Sequence, residues 1–237
     1  MNKLLYGDCL ELMQSIPDGS VDMVCCDMPY GTTNCRWDTA LDLQRVWVEY
    51  RRITKPNAAI VLFAQLPFDK VLGCSNLPWL RYELIWEKTH PTGHLNAKKM
   101  PMKAHENILL FYNKLPTYNP QKTNGHTRKT AVKRRDETTV YGNQSFYEIG
   151  YDSTERYPRS VLTFPSDKQR SSLHPTQKPL ALVEWLVATY SNEGDVVLDN
   201  CMGSGTTGEA CKKLKRKFIG IEMDEKYYKI AVERIAA

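Results

Sequence analysis

Cysteine motifs and long apolar runs are both missing from the sequence. Its seven cysteines include no Cys-x-x-Cys pair, which excludes the common zinc and dithiol motifs. The longest uninterrupted apolar run, Ala58 to Ala64, is far shorter than the roughly 20 residues of a membrane span. The first residues also lack the apolar core of a signal peptide. We therefore expect a cytoplasmic protein with reduced thiols, without a metal and without a membrane partner.

Acidic residues are absent from one long basic stretch. Its six charged side chains are all basic: Lys122, Arg128, Lys129, Lys133, Arg134 and Arg135. The net charge of the whole chain is only +5, so the position of the charges says more than their sum. Side chains of this kind contact nucleic-acid phosphates, although a basic run taken alone is more often a solvated loop.

Apolar segments alternate in a way that predicts strands and helices in turn. Strands are predicted at residues 3–6, 21–26, 58–64, 82–87, 107–112, 196–198 and 218–221. Helices are predicted at residues 9–16, 41–54, from 68, 180–190, after 208 and up to 235. Such alternation predicts a doubly wound α/β sheet. Between 113 and 172 the apolar periodicity fades, so this segment is predicted to be an insertion within a single domain that covers 1–237.

A glycine-rich turn follows the predicted strand at 196–198. It reads Gly203-Ser204-Gly205-Thr206-Thr207-Gly208, which suits a tight strand-to-helix connection where a ligand can approach the backbone. The next strand ends on Glu222, whose carboxylate can accept hydrogen bonds from two ribose hydroxyls. Asp199, just before the glycines, suits a cationic ligand better than a pyrophosphate. The pattern indicates a nucleotide-like cofactor and favours S-adenosylmethionine over NAD.

A second motif follows the predicted strand at 21–26. It reads Asp27-Met28-Pro29-Tyr30 and lies at the carboxyl edge where α/β sheets bind ligands. An exocyclic amino group is a poor nucleophile because its lone pair is delocalised into the ring. Asp27 and the Met28 carbonyl can accept hydrogen bonds from its two protons and free that lone pair. Pro29 stiffens the turn, and the ring of Tyr30 can stack on a flipped base. In this interpretation the Tyr30 hydroxyl has no role.

These motifs resemble those of DNA amino-methyltransferases. The tetrapeptide resembles the Asp-Pro-Pro-Tyr motif of that family, with Met28 in place of the first proline. The segment 174–179 resembles the one that precedes the family's cofactor loop, and 199–207 resembles the loop itself, with Asn200-Cys201 in place of Pro-Phe. The catalytic motif comes first, as in the β group. The resemblance implies a circularly permuted, Rossmann-like methyltransferase fold that uses S-adenosylmethionine and acts on double-stranded DNA.

The resemblance also implies which residues bind the cofactor and the DNA. Its first and last strands are neighbours, which would place Asp8 and Cys9 near the adenine of the cofactor and Glu222 at the ribose. For Asp8 a helix N-cap is an equally good interpretation. Thr176 and Lys178 would lie near the methionine part of the cofactor. The basic stretch falls where the family inserts its target-recognition region, and residues 90–103 form a candidate second DNA-facing loop.

Several alternatives stay open at this point. Methylation of cytosine N4 is the nearest, although that activity is usually associated with Ser at the position of Asp27, so we expect adenine N6. RNA or protein amide methylation, an NAD-dependent dehydrogenase and a DNA-binding relative without catalysis are more distant. Cytosine C5 methylation needs a thiolate that usually follows proline, and none of the thirteen prolines precedes a cysteine. The sequence leaves open the recognised DNA site, an accompanying restriction enzyme and a homodimer.

Overall fold

An eight-stranded mixed sheet is the largest element of the computed structural model, which describes residues 2–31, 39–131, 151–167 and 177–236. The strands among these residues are β1 (Lys3–Tyr6), β2 (Val21–Cys26), β3 (Thr54–Ala64), β4 (Leu80–Thr92), β5 (Lys103–Phe111), β6 (Lys129–Ala131), β7 (Tyr151–Ser153), β8 (Val161–Phe164), β9 (Val196–Asp199) and β10 (Lys217–Glu222). The order in the large sheet is β1-β10-β9-β2-β3-β5-β4-β8. The first five of these pair in parallel, and β5 is antiparallel to both of its neighbours.

Helices cover both faces of this sheet. They are α1 (Cys9–Leu12), α2 (Leu43–Ile53), α3 (Phe68–Ser75), α4 (Leu180–Tyr190), α5 (Thr206–Lys213) and α6 (Glu225–Ala236). In β2, Met23 and Cys25 join the core formed with α4, α5 and α6, whereas Val24 and Cys26 join the core formed with α1, α2 and α3. Successive strand residues point to opposite faces, so the central strands are buried on both sides, and their sequences are nearly continuous apolar runs. Among the described residues, no helix combines the length and apolar character that a membrane span requires.

The strand order reverses between β2 and β9. From β2 the chain continues through α2 to β3 on one side, and from β9 it continues through α5 to β10 on the other. At such a switch point the loops diverge and leave a crevice outside the carboxyl ends of the strands. Asp27 follows β2, and Asp199 is the last residue of β9. The two predicted motifs therefore open into the same crevice.

The strands β1 and β10, far apart in the sequence, are neighbours in the sheet. Strand β1 pairs in parallel with β10, with Tyr6 opposite Glu222, and the Gly7 N–H donates to the Glu222 carbonyl at 3.0 Å. This arrangement confirms the predicted α/β fold with its permuted strand order.

Some elements differ in length from the predicted ones. Strand β3 begins four residues before the predicted start at Ala58. Residues 55–57 are exposed and the first four residues carry no apolar signal, so patterning did not indicate this part of the strand. The same holds for the outer halves of β4 and β5, which form a long hairpin. Helix α1 ends at Leu12, and the predicted helix continues as a 3-10 turn over Met13–Ser15.

A second compact unit comprises residues 120–159. In its described part β6 pairs with β7, and Thr123 forms an isolated bridge with Arg156. The unit is shorter than the predicted insertion at 113–172 for two reasons. The N–H of Asn119 donates to the Thr189 carbonyl on α4, and β8 pairs with β4 in the large sheet.

Candidate active site

A cavity of about 590 Å³ opens at the carboxyl ends of β1, β2, β9 and β10. It is lined by residues 7–10 after β1, 27–30 after β2, 199–204 after β9, and 222–223 at the end of β10. The switch point explains this grouping, since it directs the loops of neighbouring parallel strands away from each other. The predicted catalytic tetrapeptide and the predicted cofactor loop thus share one cavity.

Asp27 is the first residue after β2, and two side chains hold its carboxylate. The Tyr30 hydroxyl donates to Oδ1 at 2.6 Å, and the Lys178 ammonium donates to Oδ2 at 2.5 Å. Burial raises the pKa of Asp27, and the opposing charge of Lys178 does not fully cancel this rise. Each carboxylate oxygen can accept a second hydrogen bond, so Asp27 keeps acceptor capacity toward the cavity.

Lys178 lies between two carboxylates. Besides bonding Asp27, its Nζ lies 3.3 Å from Oε2 of Glu106, close enough for an ion pair but not aligned as a hydrogen bond. The Lys178 side chain is only 8% exposed. Burial would lower the pKa of Lys178, but the two carboxylates outweigh it and the pKa is raised. Lys178 is therefore a buried cation in contact with the predicted catalytic residue.

Sequence reasoning missed Glu106 and its second partner, Lys88. Lys88 Nζ lies 2.6 Å from Glu106 Oε1, and the two side chains are 10% and 13% exposed. Burial would raise the pKa of Glu106, but the charges of Lys178 and Lys88 outweigh it and the pKa is lowered. The available signal was weak: Glu106 is a single charge directly before the buried end of β5, and only the pairing of β4 with β5 brings Lys88 near it.

Tyr30 uses both its hydroxyl and its ring. The hydroxyl bonds Asp27, which corrects the interpretation that only the ring matters. The ring stacks on Phe68, with centroids 5.1 Å apart and an interplanar angle of 26°. Met28 is buried at 2% exposure, and Pro29 lines the cavity. The role of the Met28 carbonyl as a second acceptor stays a prediction.

Asp199 is a buried carboxylate at the cavity wall. Its Oδ1 accepts from the Cys201 N–H at 3.1 Å, and its Oδ2 accepts from the Thr207 hydroxyl at 2.7 Å. Burial raises the pKa of Asp199 to about 7, against the lowering effect of these two hydrogen bonds. Asp199 therefore fixes the shape of the loop and changes its charge near neutral pH.

Glu222 fastens the glycine-rich loop to the end of β10. Its Oε2 accepts from the Gly203 N–H and its Oε1 from the Asp224 N–H, both at 2.8 Å. Gly205 has a positive φ of 80°, and a Cβ there would lie 3.0 Å from the Cβ of Ala231 on α6, so a larger residue would strain the turn. The carboxylate keeps one lone pair on each oxygen at the cavity wall.

Ser204 and Thr206, both predicted to bind the cofactor, are bonded to Arg234 of α6. The Arg234 guanidinium donates to the Ser204 carbonyl at 3.2 Å, to the Ser204 hydroxyl at 3.3 Å and to the Thr206 hydroxyl at 3.0 Å. These contacts hold the start of α5 against α6. Both residues also line the cavity, so their contact with a cofactor stays a prediction.

Asp8 is the N-cap of α1, as the alternative interpretation has it. Its Oδ1 accepts from the backbone N–H groups of Leu10 and Glu11. Asp8 and Cys9 both line the cavity, and Cys9 belongs to the same core cluster as Cys201. The N-cap bonds leave one carboxylate oxygen of Asp8 without a role in the helix, so capping and ligand binding are compatible.

Asn200, which differs from the family motif together with Cys201, has a hydrogen-bond partner in the structure. The Tyr50 hydroxyl donates to Asn200 Oδ1 at 2.5 Å, and Asn200 is 1% exposed. A buried amide with a hydrogen-bond partner is stable at this position. Asn200 therefore adapts the loop to Tyr50 and does not by itself indicate loss of catalysis.

Four predicted site residues lie outside the described part of the chain: Thr176, Lys133, Arg134 and Arg135. Within it, no three His, Cys, Asp or Glu side chains are grouped so as to hold a metal ion.

The sequence matches the DNA methylase family of the N6 and N4 type over residues 21–233. The chain belongs to this family. Two type II methyltransferases are similar over almost the whole methylase: M.HpaI of Haemophilus parainfluenzae, 28% identical over 98% of this chain and 74% of the relative, and M.HinfI of Haemophilus influenzae, 28% identical over 99% and 68%.

Solved structures share the fold of the methylase. The complex of M1.HpyAVI with SAM aligns over 100% of both chains, with a TM-score of 0.67 and 24% identity. The PvuII DNA methyltransferase, described as cytosine-N4-specific, aligns over 99% of this chain and 86% of that one, with a TM-score of 0.68 and 17% identity. At these identities the likeness concerns the fold.

Proposed function

We propose that the methylase transfers a methyl group from S-adenosylmethionine to N6 of adenine, in a base flipped out of double-stranded DNA in the cytoplasm. The observation that carries the proposal is the single cavity lined by Asp27, Asp199 and Glu222. A methyl donor at the glycine-rich loop and an amino group at Asp27 would share that cavity without a wall between them.

The residues at the loop fit S-adenosylmethionine, the ligand of the M1.HpyAVI complex. Glu222 offers two carboxylate oxygens to a ribose, and Asp199 offers a negative charge to the cationic methionine part. When bound, the cofactor supplies a methyl group already activated by its sulfonium charge. The protein therefore needs no nucleophile of its own, and its task is to position and activate the amino group.

Asp27 is the residue that activates the amino group. Its free lone pairs can accept a hydrogen bond from one amino proton, and the Met28 carbonyl can accept from the other. Both bonds draw the nitrogen toward a tetrahedral geometry in which its lone pair is available. The ring of Tyr30, supported by Phe68, offers an aromatic surface to the base. After transfer the nitrogen carries a surplus proton, which Asp27 is placed to accept.

Two features support adenine as the target. A charged Asp27 reaches further into the cavity than a serine hydroxyl would, and a purine presents a larger face to Tyr30. The fold does not distinguish adenine from cytosine as the target, since a cytosine-N4-specific enzyme shares it. The proposal depends on the side chain at position 27.

The test uses tritiated S-adenosylmethionine with DNA, RNA and protein as parallel acceptors. Label in DNA alone is expected, and mass spectrometry of the digested nucleosides should find N6-methyladenine. N4-methylcytosine as the main product would overturn the choice of base, and label confined to RNA or protein would overturn the choice of DNA. Long-read sequencing of the methylated DNA would then identify the recognised site.

Substitution of Tyr30 should separate its ring from its hydroxyl. Tyr30→Phe removes a hydrogen bond to a carboxylate, worth about 1.5–3 kcal/mol, so we expect kcat to fall about tenfold or more. Tyr30→Ala also removes the aromatic surface, worth about 1–3 kcal/mol per stacked base, and should be lower again. Methylation rates with saturating cofactor measure both. Wild-type activity in Tyr30→Phe would mean that the hydroxyl bond to Asp27 has no catalytic role.

Affinity for S-adenosylmethionine should rise with pH from about 6 to about 8. The pKa of Asp199 is raised to about 7, so the carboxyl is neutral below this value and charged above it, and only the charged form attracts a cation. Calorimetric Kd values across this range should improve by at most about tenfold per pH unit. Asp199→Asn, which cannot ionise, should flatten the dependence. A flat profile in the wild-type protein would remove Asp199 from the cofactor site.

We assign DNA contacts to the basic stretch and to the outer part of the β4–β5 hairpin. In the unit 120–159, Lys122 pairs with Glu155, and Arg128 pairs with Asp152. Lys129 is exposed. On the hairpin, Lys98 and Lys99 are exposed as well. Lys122 and Arg128 already have acidic partners, so we expect Lys129 to contribute more to phosphate binding than either of them. The basic residues that follow it in the sequence are included for their charge.

Neutralising this group should flatten the salt dependence of DNA binding. The variant replaces four residues by glutamine: Lys129, Lys133, Arg134 and Arg135. The log–log slope of affinity against salt should fall by up to about 0.9 for each phosphate that the variant no longer neutralises. The matched control replaces four exposed lysines elsewhere, which have no ion-pair partner among the described residues: Lys3, Lys114, Lys217 and Lys226. An equal change of slope in both variants would show a general charge effect and no dedicated DNA surface.

A further inference from the structure

Four charged side chains form a row of alternating sign that ends at the catalytic carboxylate of Asp27. Lys88 pairs with Glu106, Glu106 pairs with Lys178, and Lys178 pairs with Asp27. The side chains of Lys88, Glu106 and Lys178 are at most 13% exposed, so solvent screens their charges weakly. Two cations and two anions cancel, which makes the row tolerable in a buried position.

The Lys178 ammonium faces one strong and one weak acceptor. It lies 2.5 Å from Asp27 and 3.3 Å from Glu106, and its remaining surroundings include the rings of Phe63 at 5.2 Å and Tyr30 at 5.8 Å. A shift of less than an ångström toward Glu106 would reverse the preference. Glu106 is held from its other side by Lys88, so it is fixed in place to receive the ammonium.

Asp27 can accept a further hydrogen bond while Lys178 is bound to it, but the ammonium makes it a weaker acceptor for the amino group of a base. The charge of the carboxylate is also less available as positive charge develops on the nitrogen. We propose that Glu106 is a positioning residue for catalysis: it draws Lys178 away from Asp27 when the target base enters, and so frees the Asp27 carboxylate. The inference rests on the proposed function.

Glu106 also influences the pH at which Asp27 ionises. The groups that act on Asp27 are Lys178, Glu106 and Tyr30. The charge of Asp27 in turn raises the pKa values of its titratable neighbours Cys25, Cys26 and Asp199. Burial and the negative charge of Glu106 raise the pKa of Asp27, while Lys178 and Tyr30 lower it. Asp27 must be ionised to act as an acceptor, so activity is lost as the pH falls through its pKa. Removing the charge of Glu106 lowers that pKa and moves the acid limb of activity to lower pH.

The decisive variant is Glu106→Gln, which keeps the size of the side chain and removes its charge. We expect kcat to fall about 10-fold to 100-fold with little change in the KM for S-adenosylmethionine, because Lys178 then stays on Asp27. The acid limb of kcat, measured with saturating cofactor so that Asp199 does not contribute, should move to lower pH. Glu106→Asp should recover part of the rate. Glu87→Gln is the control, since Glu87 is exposed on the adjacent strand and bonds Thr163.

A double-mutant cycle with Lys178→Met tests whether Glu106 acts through Lys178. If it does, Glu106→Gln has no further effect on kcat in the Lys178→Met background. Wild-type kcat and acid limb in Glu106→Gln, or equal losses in both backgrounds, would overturn the inference. A loss of kcat without a shifted limb in a protein that melts early would assign Glu106 a structural role and overturn it as well. If the wild-type protein methylates no DNA, the proposed function itself fails, which is a separate result.

Discussion

We expect Asp27→Ala to bind S-adenosylmethionine with unchanged affinity and to transfer almost no methyl group. In the proposed function the carboxylate acts on the amino group during transfer, so its loss should lower kcat and leave cofactor binding intact. Removing one preorganised polar group from an active site costs about 100-fold to 1000-fold in kcat, and Asp27 is expected to lie in or above this range. Tritium transfer to DNA and calorimetry of the cofactor measure the two effects independently.

The change at Asp27 also leaves Lys178 with Glu106 as its nearest carboxylate. Breaking a buried ion pair costs up to about 3–5 kcal/mol of stability. Glu106 reduces this cost because it lies within 3.3 Å of the ammonium. Asp27→Asn is the matched variant, since it keeps the volume and one acceptor oxygen. Thermal melting should show both variants folded, and substantial turnover in either one would exclude Asp27 as the activating residue.

Glu222→Ala should have the opposite effect to Asp27→Ala, because it should weaken the binding of the cofactor. Two charge-assisted hydrogen bonds to a ribose are worth about 1.5–3 kcal/mol each, which corresponds to roughly 100-fold or more in Kd. Part of the loss comes from the loop, because Glu222 also accepts from Gly203 and Asp224. Calorimetry with S-adenosylmethionine measures the change.

Two further variants separate these contributions. Glu222→Gln keeps one acceptor oxygen and should fall between the wild type and Glu222→Ala. Glu225→Ala removes an exposed carboxylate three residues later, which pairs with Lys229, and should leave Kd unchanged. Equal Kd values for Glu222→Ala and the wild type would remove Glu222 from the cofactor site.

Apolar patterning predicted the parts of the fold that are buried. Strand β2 and helix α4 have the predicted bounds, because their residues face core on one or both sides. The polar parts of the strands carry no apolar pattern. The predicted strands at 82–87 and 107–112 therefore lack the outer part of the β4–β5 hairpin. The neighbour of β1 in the sheet was implied by the resemblance to the family, since patterning alone does not specify which strands are neighbours.

Some residues of the site could also be predicted from the sequence, and others could not. Asp27, Asp199 and Glu222 were predicted because each ends or follows a parallel strand at the carboxyl edge of the sheet, a position that sequence can reveal. Glu106 and Lys88 lie on two strands whose pairing brings them behind Lys178. Their contact depends on tertiary register, so no local motif could have indicated it. The Tyr30 hydroxyl was missed for a related reason, because its bond to Asp27 depends on how the turn at Pro29 folds.

The pairing of β1 with β10 also sets the point during synthesis at which the protein can first become active. Lys3 lies opposite Ile219 and Tyr6 opposite Glu222, so β1 has to wait for β10 before it finds its neighbour. A nascent chain can form β2 and the turn at Asp27 early. The side of the cavity that is lined by the residues after β9 and at the end of β10 is absent until these strands leave the ribosome. Such long-range closure is slow compared with local folding. We therefore expect methylation only after β10 has been made, and no modification of DNA by a translation product that stops before this strand.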